Sequence, residues 1–597
     1  MQSVETATSK LEQFRETVIN RLLSERNDSG SWEGELSSSA LSTAVATVAL
    51  YQFDSEKFKI DICSGLDWLV NNINDDGGYG DTVDSPANIS TTLLCWSAFN
   101  LSKNLGRDDS ATEAKIEKWL RNEAGSIEPE NICQKILKVY GDDHTFSVPI
   151  LTTLAISGRL GDNPWGYVLQ LPFELSVFPA GLFKFLKLEV VSYALPALIT
   201  IGLVRHNKRR SAINPLSWFR SLVTKKALKK LATIQPVNGG FLEATPLTGF
   251  VLMSLCESGL KDLEVSQKCA AFLKSSIRKD GSYPIDTHLH TWVTTLSINA
   301  LTETDKGYLS SSEKQTLKKF LTDQQYKEVH PYTNAAPGGW AWSPLPGAVP
   351  DADDTSGALV ALRRLSDENS MPVNEAEHGI KWLLGLQNSD GGIPTFCRGW
   401  GQLPFDQSCA DITAHCLRAF CEWRKDVNPK LQVQINSSLR ELVRYLKTTQ
   451  RSDGSWNPLW FGNQHNKEKL NLTYGTAQVV IALSETPNAE NLALKPLVDS
   501  GLKWLKEAQN DDGSWSGVKG TPGSIEETSL ALNALVSCGI KDDRIEKGFN
   551  WLLQETKEGI EFKSRPIGLY FASLWYNEKM YPLVYSAAAI EKYFSDK

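Results

Sequence analysis

Three aspartates stand within four residues of one another, Asp351, Asp353 and Asp354, in the stretch VPDADDTSGALVALRRL that starts at Val349, and an apolar run follows at once. In a dry site three crowded carboxyls cannot all ionise, so at least one keeps its proton near neutral pH and can serve as a donor. The same spacing also suits an acidic helix cap with a solvated face, or an oxygen-ligand metal site. His415 lies in ADITAHCLRAF, four residues after Asp411 and so on the same helical face. Asp411 there either orients the imidazole or caps the helix. Taken alone, the histidine reads as a satisfied core residue.

The elements that would position these groups recur along the chain. A Gly turn followed by an aromatic appears as NDSGSW (Gly30, Trp32), NINDDGGYG (Gly77, Tyr79), IQPVNGGF (Gln235, Phe241) and IRKDGSY (Gly281, Tyr283). It returns as LQNSDGG (Gln387, Gly391), TQRSDGSW (Gln450, Trp456), AQNDDGSW (Gln509, Trp515) and, more weakly, LQETKEGIEF (Gln554, Phe562). Amphipathic patterns flank the turns, as in VDSGLKWLKEAQ before one and SLALNALVSCG after it. The unit is helix, turn, helix; glycine supplies the positive φ of the reversal and the aromatic can cover the helix end. The expected fold is therefore all-α, with two α/α barrels built from these repeats and a less regular stretch between about 125 and 230.

At 597 residues the chain exceeds what one core supports, so more than one domain is expected. A net charge of −8 argues against a nucleic-acid partner. Ten cysteines without a C-x-x-C pair read as reduced core thiols, and the polar, then amphipathic N-terminus does not resemble a signal peptide. Both point to a cytoplasmic location. The segment 165–204 is apolar but broken by Glu174, Lys184, Lys187, Glu189 and three prolines, so it does not offer a spanning helix of about 20 residues. A plateau dipping into one leaflet, with Arg205, Lys208, Arg209 and Arg210 at the headgroups, and a buried helix pair both fit it.

PGGWAWSPLPGAVPDADDTSGALVAL resembles the catalytic segment of squalene-hopene cyclases, members of the class II triterpene cyclases, and the turns resemble that family's QW motifs. ADITAHCLRAF and TYGTAQVVIAL resemble further stretches of those enzymes, in the same order. The resemblance implies a catalytic barrel of residues 1–20 plus 293–597, with residues 21–292 inserted as a second barrel. It implies that Asp353 protonates a terminal alkene of an apolar isoprenoid, squalene above all, that Asp351 and Asp354 assist, and that His415 holds the acid. It further implies that Trp165, Trp292, Trp342, Phe396, Trp460, Tyr474, Tyr570 and Phe571 bind substrate, aromatic faces being able to stabilise a carbocation without capturing it. Trp32, Trp456 and Trp515 read as structural. RPIGLYFASLWY, which holds Tyr570, Phe571 and Trp575, departs from the family's aromatic spacing.

No cofactor and no metal are expected. The expected setting is the cytoplasmic side of a membrane, bound without spanning, with a homodimer as the candidate assembly. Other readings are an oxidosqualene cyclase, in which the acid is paired with cysteines, and a cyclase of other C30 to C35 or shorter terpenoids. A prenyl diphosphate cyclase, needing a basic pocket and Mg²⁺, a lipid-binding barrel without activity, and a zinc prenyltransferase subunit complete the set.

Overall fold

The turns that carry a glutamine repeat one set of bonds. In the computed structural model, which describes residues 2–595 other than 142, 180–192, 305, 368–369, 397–403 and 487–492, the turn glutamine ties its own turn to the next outer helix. Gln450 Nε2 donates to the carbonyls of Gly454 (2.9 Å) and Leu497 (3.0 Å), and Gln509 Nε2 to those of Gly513 (2.9 Å) and Arg544 (3.0 Å). Gly454 and Gly513 both take φ +95°, and a Cβ at Gly454 would lie 2.5 Å from the Ser500 carbonyl. Glycine is thus required twice over, for conformation and for contact. The tryptophan closes the helix behind it: the indole N–H donates to the carbonyl of Leu22 from Trp32 (2.7 Å), of Leu446 from Trp456 (3.0 Å) and of Leu505 from Trp515 (2.8 Å).

Two features of the repeat escape the sequence reading. One is a further copy, in which Gln325 bonds the Gly338 carbonyl (2.8 Å) and Trp340 the Leu321 carbonyl (2.7 Å) across a longer insertion. The other is a threonine near the start of the following inner helix, whose hydroxyl accepts from the amide of the turn aromatic. Thr355 does so for Trp340, Thr476 for Trp456 and Thr528 for Trp515, at 2.9, 3.0 and 2.9 Å.

These units close into two rings. In the larger, the inner helices His290–Leu301, Ala352–Arg364, Ala410–Trp423, Leu472–Ser484, Ile525–Ser537 and Tyr581–Ser595 each touch the next, and the last returns to the first. Helices Ser311–Gln324, Val373–Leu386, Pro429–Thr449, Lys495–Ala508 and Asp543–Glu555 lie outside, and the N-terminal helix Gln2–Ser24 packs on Tyr581–Ser595. The smaller ring has the inner helices Ala40–Asp54, Ile89–Ser102, His144–Ile156, Leu195–Lys208 and Thr245–Glu257. Inner helices such as ALSTAVATVALYQFD are buried nearly all round, whereas outer ones carry a single apolar stripe. Two hydrophobic cores result. One joins Leu11–Trp32 to residues from Trp292 onward; the other runs from Leu36 to Ile285 and takes in Trp342, Phe405 and Leu574.

The described cysteines are free thiols; Cys397 lies outside the described residues. Of the apolar segment 165–204, residues 180–192, with Lys184, Lys187 and Glu189, lie outside them too. Among the described residues no helix is long and apolar enough to cross a membrane.

Candidate active site

Asp351 is the N-cap of the inner helix Ala352–Arg364. Its backbone is extended (φ −133°, ψ 169°), its Oδ1 accepts from the Asp354 amide at 2.8 Å, and its carbonyl accepts from the Thr355 hydroxyl at 2.6 Å. A two-residue ribbon pairs it with Trp340. The helix-end amide thus serves Asp351 and not Asp353. Asp354 is buried, and its Oδ1 has no hydrogen-bond partner among the described residues. Burial and then the Asp351 charge raise Asp354 well above the carboxylate range; burial lifts Asp351 to about 7 against the bonds it accepts from Asp354. The crowded pair therefore retains a proton near neutrality, the outcome expected for carboxyls of like charge in a dry site.

Asp353 is the member of the triplet that faces open space. It meets His415 Nδ1 at 2.8 Å across to the next inner helix. Asp411 occupies on that helix the position Asp353 occupies on its own, two residues past the N-cap. It accepts from the Cys409 thiol at 2.6 Å rather than from the imidazole, and burial followed by the Asp353 charge raises it to about 6. The Trp292 ring stands edge-on to His415 at 6.1 Å. A Cβ at Gly357 would crowd Thr295 Oγ1 at 3.0 Å, with His415 Cε1 and Trp292 Cζ3 in ordinary contact at 3.5 Å.

Two cavities flank this centre. An axial one of about 860 Å³ runs down the larger ring, from Trp292, Asp353, His415 and Tyr474 to Glu303, Arg418 and Glu485 at the opposite helix ends. Arg418 there bonds Glu485 at 2.7 Å and Glu422 at 3.1 Å. The other, about 1000 Å³, lies in the smaller ring and is lined almost wholly by apolar groups, among them Leu94, Ile150, Leu247, Phe250, Tyr570 and Phe571. No lysine or arginine lines it among the described residues, and Asp143 stands at its edge.

An aromatic wall lies between the rings. Phe396 is its hub, with ring centroids 4.9 Å from Tyr193, 5.7 Å from Trp460, 6.1 Å from Trp342 and 6.3 Å from Phe571. The wall is joined to the acid: Trp460 Nε1 donates to Thr395 Oγ1 at 2.5 Å, and the Thr395 carbonyl accepts from the amide of Ala352 at 2.8 Å. Phe571 and Ala572 hold positive φ (49° and 56°) at the tip of the hairpin Gly568–Tyr570/Leu574–Tyr576, a strained turn that delivers Tyr570 and Phe571 to the apolar cavity.

The structure thus brings Asp353, His415, Trp292 and Tyr474 to one lumen, and Trp342, Phe396, Trp460, Tyr570 and Phe571 to one wall. Trp165 packs in the core of the smaller ring; like Trp342, Phe396 and Trp460, it is not among the residues that line either cavity. Trp575 stacks against the Lys469 ammonium at 5.6 Å. Tyr193 and Phe405 belong to the wall although nothing local in the sequence marks them. An exposed apolar patch was also missed: Ile213, Trp218 and Leu222 are 91%, 61% and 79% exposed, beside Leu216 and Phe219. PLSWFRSLVTKKALKK carries that signal, with bulky apolar residues next to lysines.

A family model described as the squalene-hopene cyclase C-terminal domain matches residues 288–594, and one described as the prenyltransferase alpha-alpha toroid domain matches residues 3–139. The first covers just over half of the chain, which therefore belongs to the squalene-hopene cyclase family. Enfumafungin synthase of Hormonema carpetanum is 24% identical over 85% of this chain and 42% of its own length. The squalene-hopene cyclase of Bradyrhizobium diazoefficiens is 24% identical over 48% of this chain and 45% of its own. The chain thus spans less than half the length of these curated relatives. Among solved structures, an ent-copalyl diphosphate synthase from Streptomyces platensis aligns over 98% of this chain and 100% of its own with a TM-score of 0.60. At 17% identity, that likeness is one of fold.

Proposed function

We propose that the protein is a class II terpene cyclase that protonates a terminal alkene of a neutral isoprenoid, squalene best of all, and drives its cationic ring closure. The observation that carries this reading is the Asp353–His415 pair at 2.8 Å, set at the head of the barrel lumen and tied through Thr395 to an aromatic wall. The steps follow from the groups present. Asp353 gives its proton to a double bond, a very weak base, so the carboxylate left behind must be stabilised. His415 donates Nδ1–H to it, a charge-assisted bond worth about 1.5 to 3 kcal/mol. Asp351 and Asp354, holding a proton between them, spare Asp353 a second full charge next door. Trp342, Phe396, Trp460 and Phe571 turn π-faces to the migrating cation, and water is kept from it by apolar lining. The polar axial cavity behind Asp353 is the route by which the spent acid regains a proton.

A neutral substrate is favoured over a diphosphate because, among the described residues, the apolar cavity is lined by no lysine or arginine and includes Asp143. The same reading assigns residues 1–20 plus 293–597 to the catalytic barrel and residues 21–292 to the inserted one. The exposed patch around Trp218 and Leu222, with Lys225 and Lys226 beside it, supports docking on a membrane surface without spanning it, on the cytoplasmic side.

The test is to incubate the purified, detergent-solubilised chain with squalene, with shorter polyprenes and with geranylgeranyl diphosphate, and to analyse the extracts. Cyclic isomers of squalene are expected. Conversion of the diphosphate alone would replace the substrate class, and no conversion of any would contradict the reading.

A further inference from the structure

A second buried acid centre lies where the two rings meet, away from Asp353. Asp286, fully buried, accepts from the Tyr570 hydroxyl on Oδ2 at 3.1 Å and from the Thr287 amide on Oδ1 at 2.6 Å. Glu243, 1% exposed, is held opposite by the bridge that pairs Ala244 with Asp286. It accepts from Asn238 Nδ2 at 2.7 Å, the Gly347 amide at 2.6 Å and the Thr287 hydroxyl at 3.3 Å. Tyr570 is the link outward: it lines the apolar cavity, and its hydroxyl donates to Asp286. The buried Trp342 indole N–H, without a hydrogen-bond partner among the described residues, lies close enough to Asp286 to favour its charge.

Burial raises both carboxyls, Asp286 the more because Glu243 adds its charge, and the three donors on Glu243 and two on Asp286 oppose that. Two carboxyls buried close together do not both ionise freely, so the pair readily takes up a proton. The pair sits behind a tyrosine at an apolar cavity that, among the described residues, no lysine or arginine lines. It is placed to meet a positive charge that arrives with the substrate.

Resting on the cyclase reading above, we infer that Tyr570, backed by the Asp286–Glu243 pair, is the base that ends the cyclisation. A C–H bond beside the last cationic carbon breaks, and its electron pair becomes the new C=C. The proton passes to the Tyr570 oxygen as the Tyr570 hydroxyl proton moves to Asp286. The acid pair takes up that proton, the substrate leaves as an alkene isomer, and the pair sheds the proton to solvent once the cavity empties. Tyr570 touches the substrate; Asp286 and Glu243 are positioning residues that act through it.

The experiment compares Tyr570→Phe, Asp286→Asn and the double variant with the unaltered chain on squalene. It reads the ratio of each product to substrate consumed, independently of rate. The single variants should each replace the main alkene by other alkene isomers and water-captured alcohols, changing its ratio to them at least tenfold. The double variant should match either single one, because both act in one step. Wild-type ratios in both single variants would overturn the inference. So would a change in Tyr570→Phe that Asp286→Asn does not share, which would make Tyr570 a wall only. If the unaltered chain converts no isoprenoid, the cyclase reading itself fails and takes this one with it; if it converts squalene and the variants do not differ, this inference alone is overturned.

Discussion

At the scale of single residues, Asp353 and Asp354 differ by environment, not by type. Asp354 lies under the helix start, pushed up by burial and by Asp351, while Asp353 opens on the lumen and meets His415. The sequence shows three equivalent carboxylates; which of them faces space depends on the helix rotation set by the Asp351 cap, which no local pattern encodes. Asp411 is the counterpart: its spacing from His415 suggested a partner, yet the thiol of Cys409 takes its oxygen. Asp353→Asn keeps the shape but removes a usable proton, so turnover should drop below detection with the circular dichroism unchanged. His415→Phe should slow turnover about ten- to hundredfold, the rate equivalent of one charge-assisted hydrogen bond. Trp460→Ala removes a π-face and the bond to Thr395, so partly cyclised products should appear in the extract.

At the scale of elements, the turns were legible because one glycine and one aromatic recur at fixed offsets, each with a separate task. The threonine that accepts the aromatic's amide was not, since Thr355 sits inside DDTS, where the acids draw attention, and Thr476 inside YGT. The acid motif is thus a copy of the start of an inner helix: Glu526 and Glu527 after the cap Ser524 stand where Asp353 and Asp354 do, and Asp411 stands where Asp353 does. The wall was legible only in part: Tyr193 and Phe405 reach it from segments with no repeat to place them. Gln450→Ala loses two bonds to buried-end carbonyls and should lower stability by about 1 to 3 kcal/mol, seen as a lower melting temperature. The product profile of that variant should not change, because Gln450 holds helices together far from the wall.

At the scale of the whole molecule, two cores share one chain, and the crossing points fall between Trp32 and Leu36 and between Ile285 and Trp292. Repeats alone show that there are two rings; the cavity, wall and second acid centre between them come from contacts far apart in sequence, which periodicity does not carry. Burial lifts Glu526 to about 8 and Asp351, Glu527 and Glu578 to about 7, all above their unfolded values. The folded chain then binds more protons than the unfolded one between pH 6.5 and 8, so stability must fall as pH rises through that window, by roughly 1.4 kcal/mol per pH unit for each extra proton held. The buried His290 and His330, lowered to about 4, act in the opposite direction, but each is only about half protonated in the unfolded chain at pH 6.5 and nearly deprotonated by pH 8, so together they offset at most about one of the protons the carboxyls hold. Melting temperatures measured from pH 6.5 to 8.5 should therefore decline. The central claim, that a carboxyl of this chain delivers the proton that starts ring closure, is tested most directly by cyclising squalene in D₂O and locating the label by mass spectrometry. The account predicts one deuterium per product molecule, at the carbon protonated first, and no labelled product from Asp353→Asn. An unlabelled cyclic product, or the same labelled product from Asp353→Asn, would contradict it.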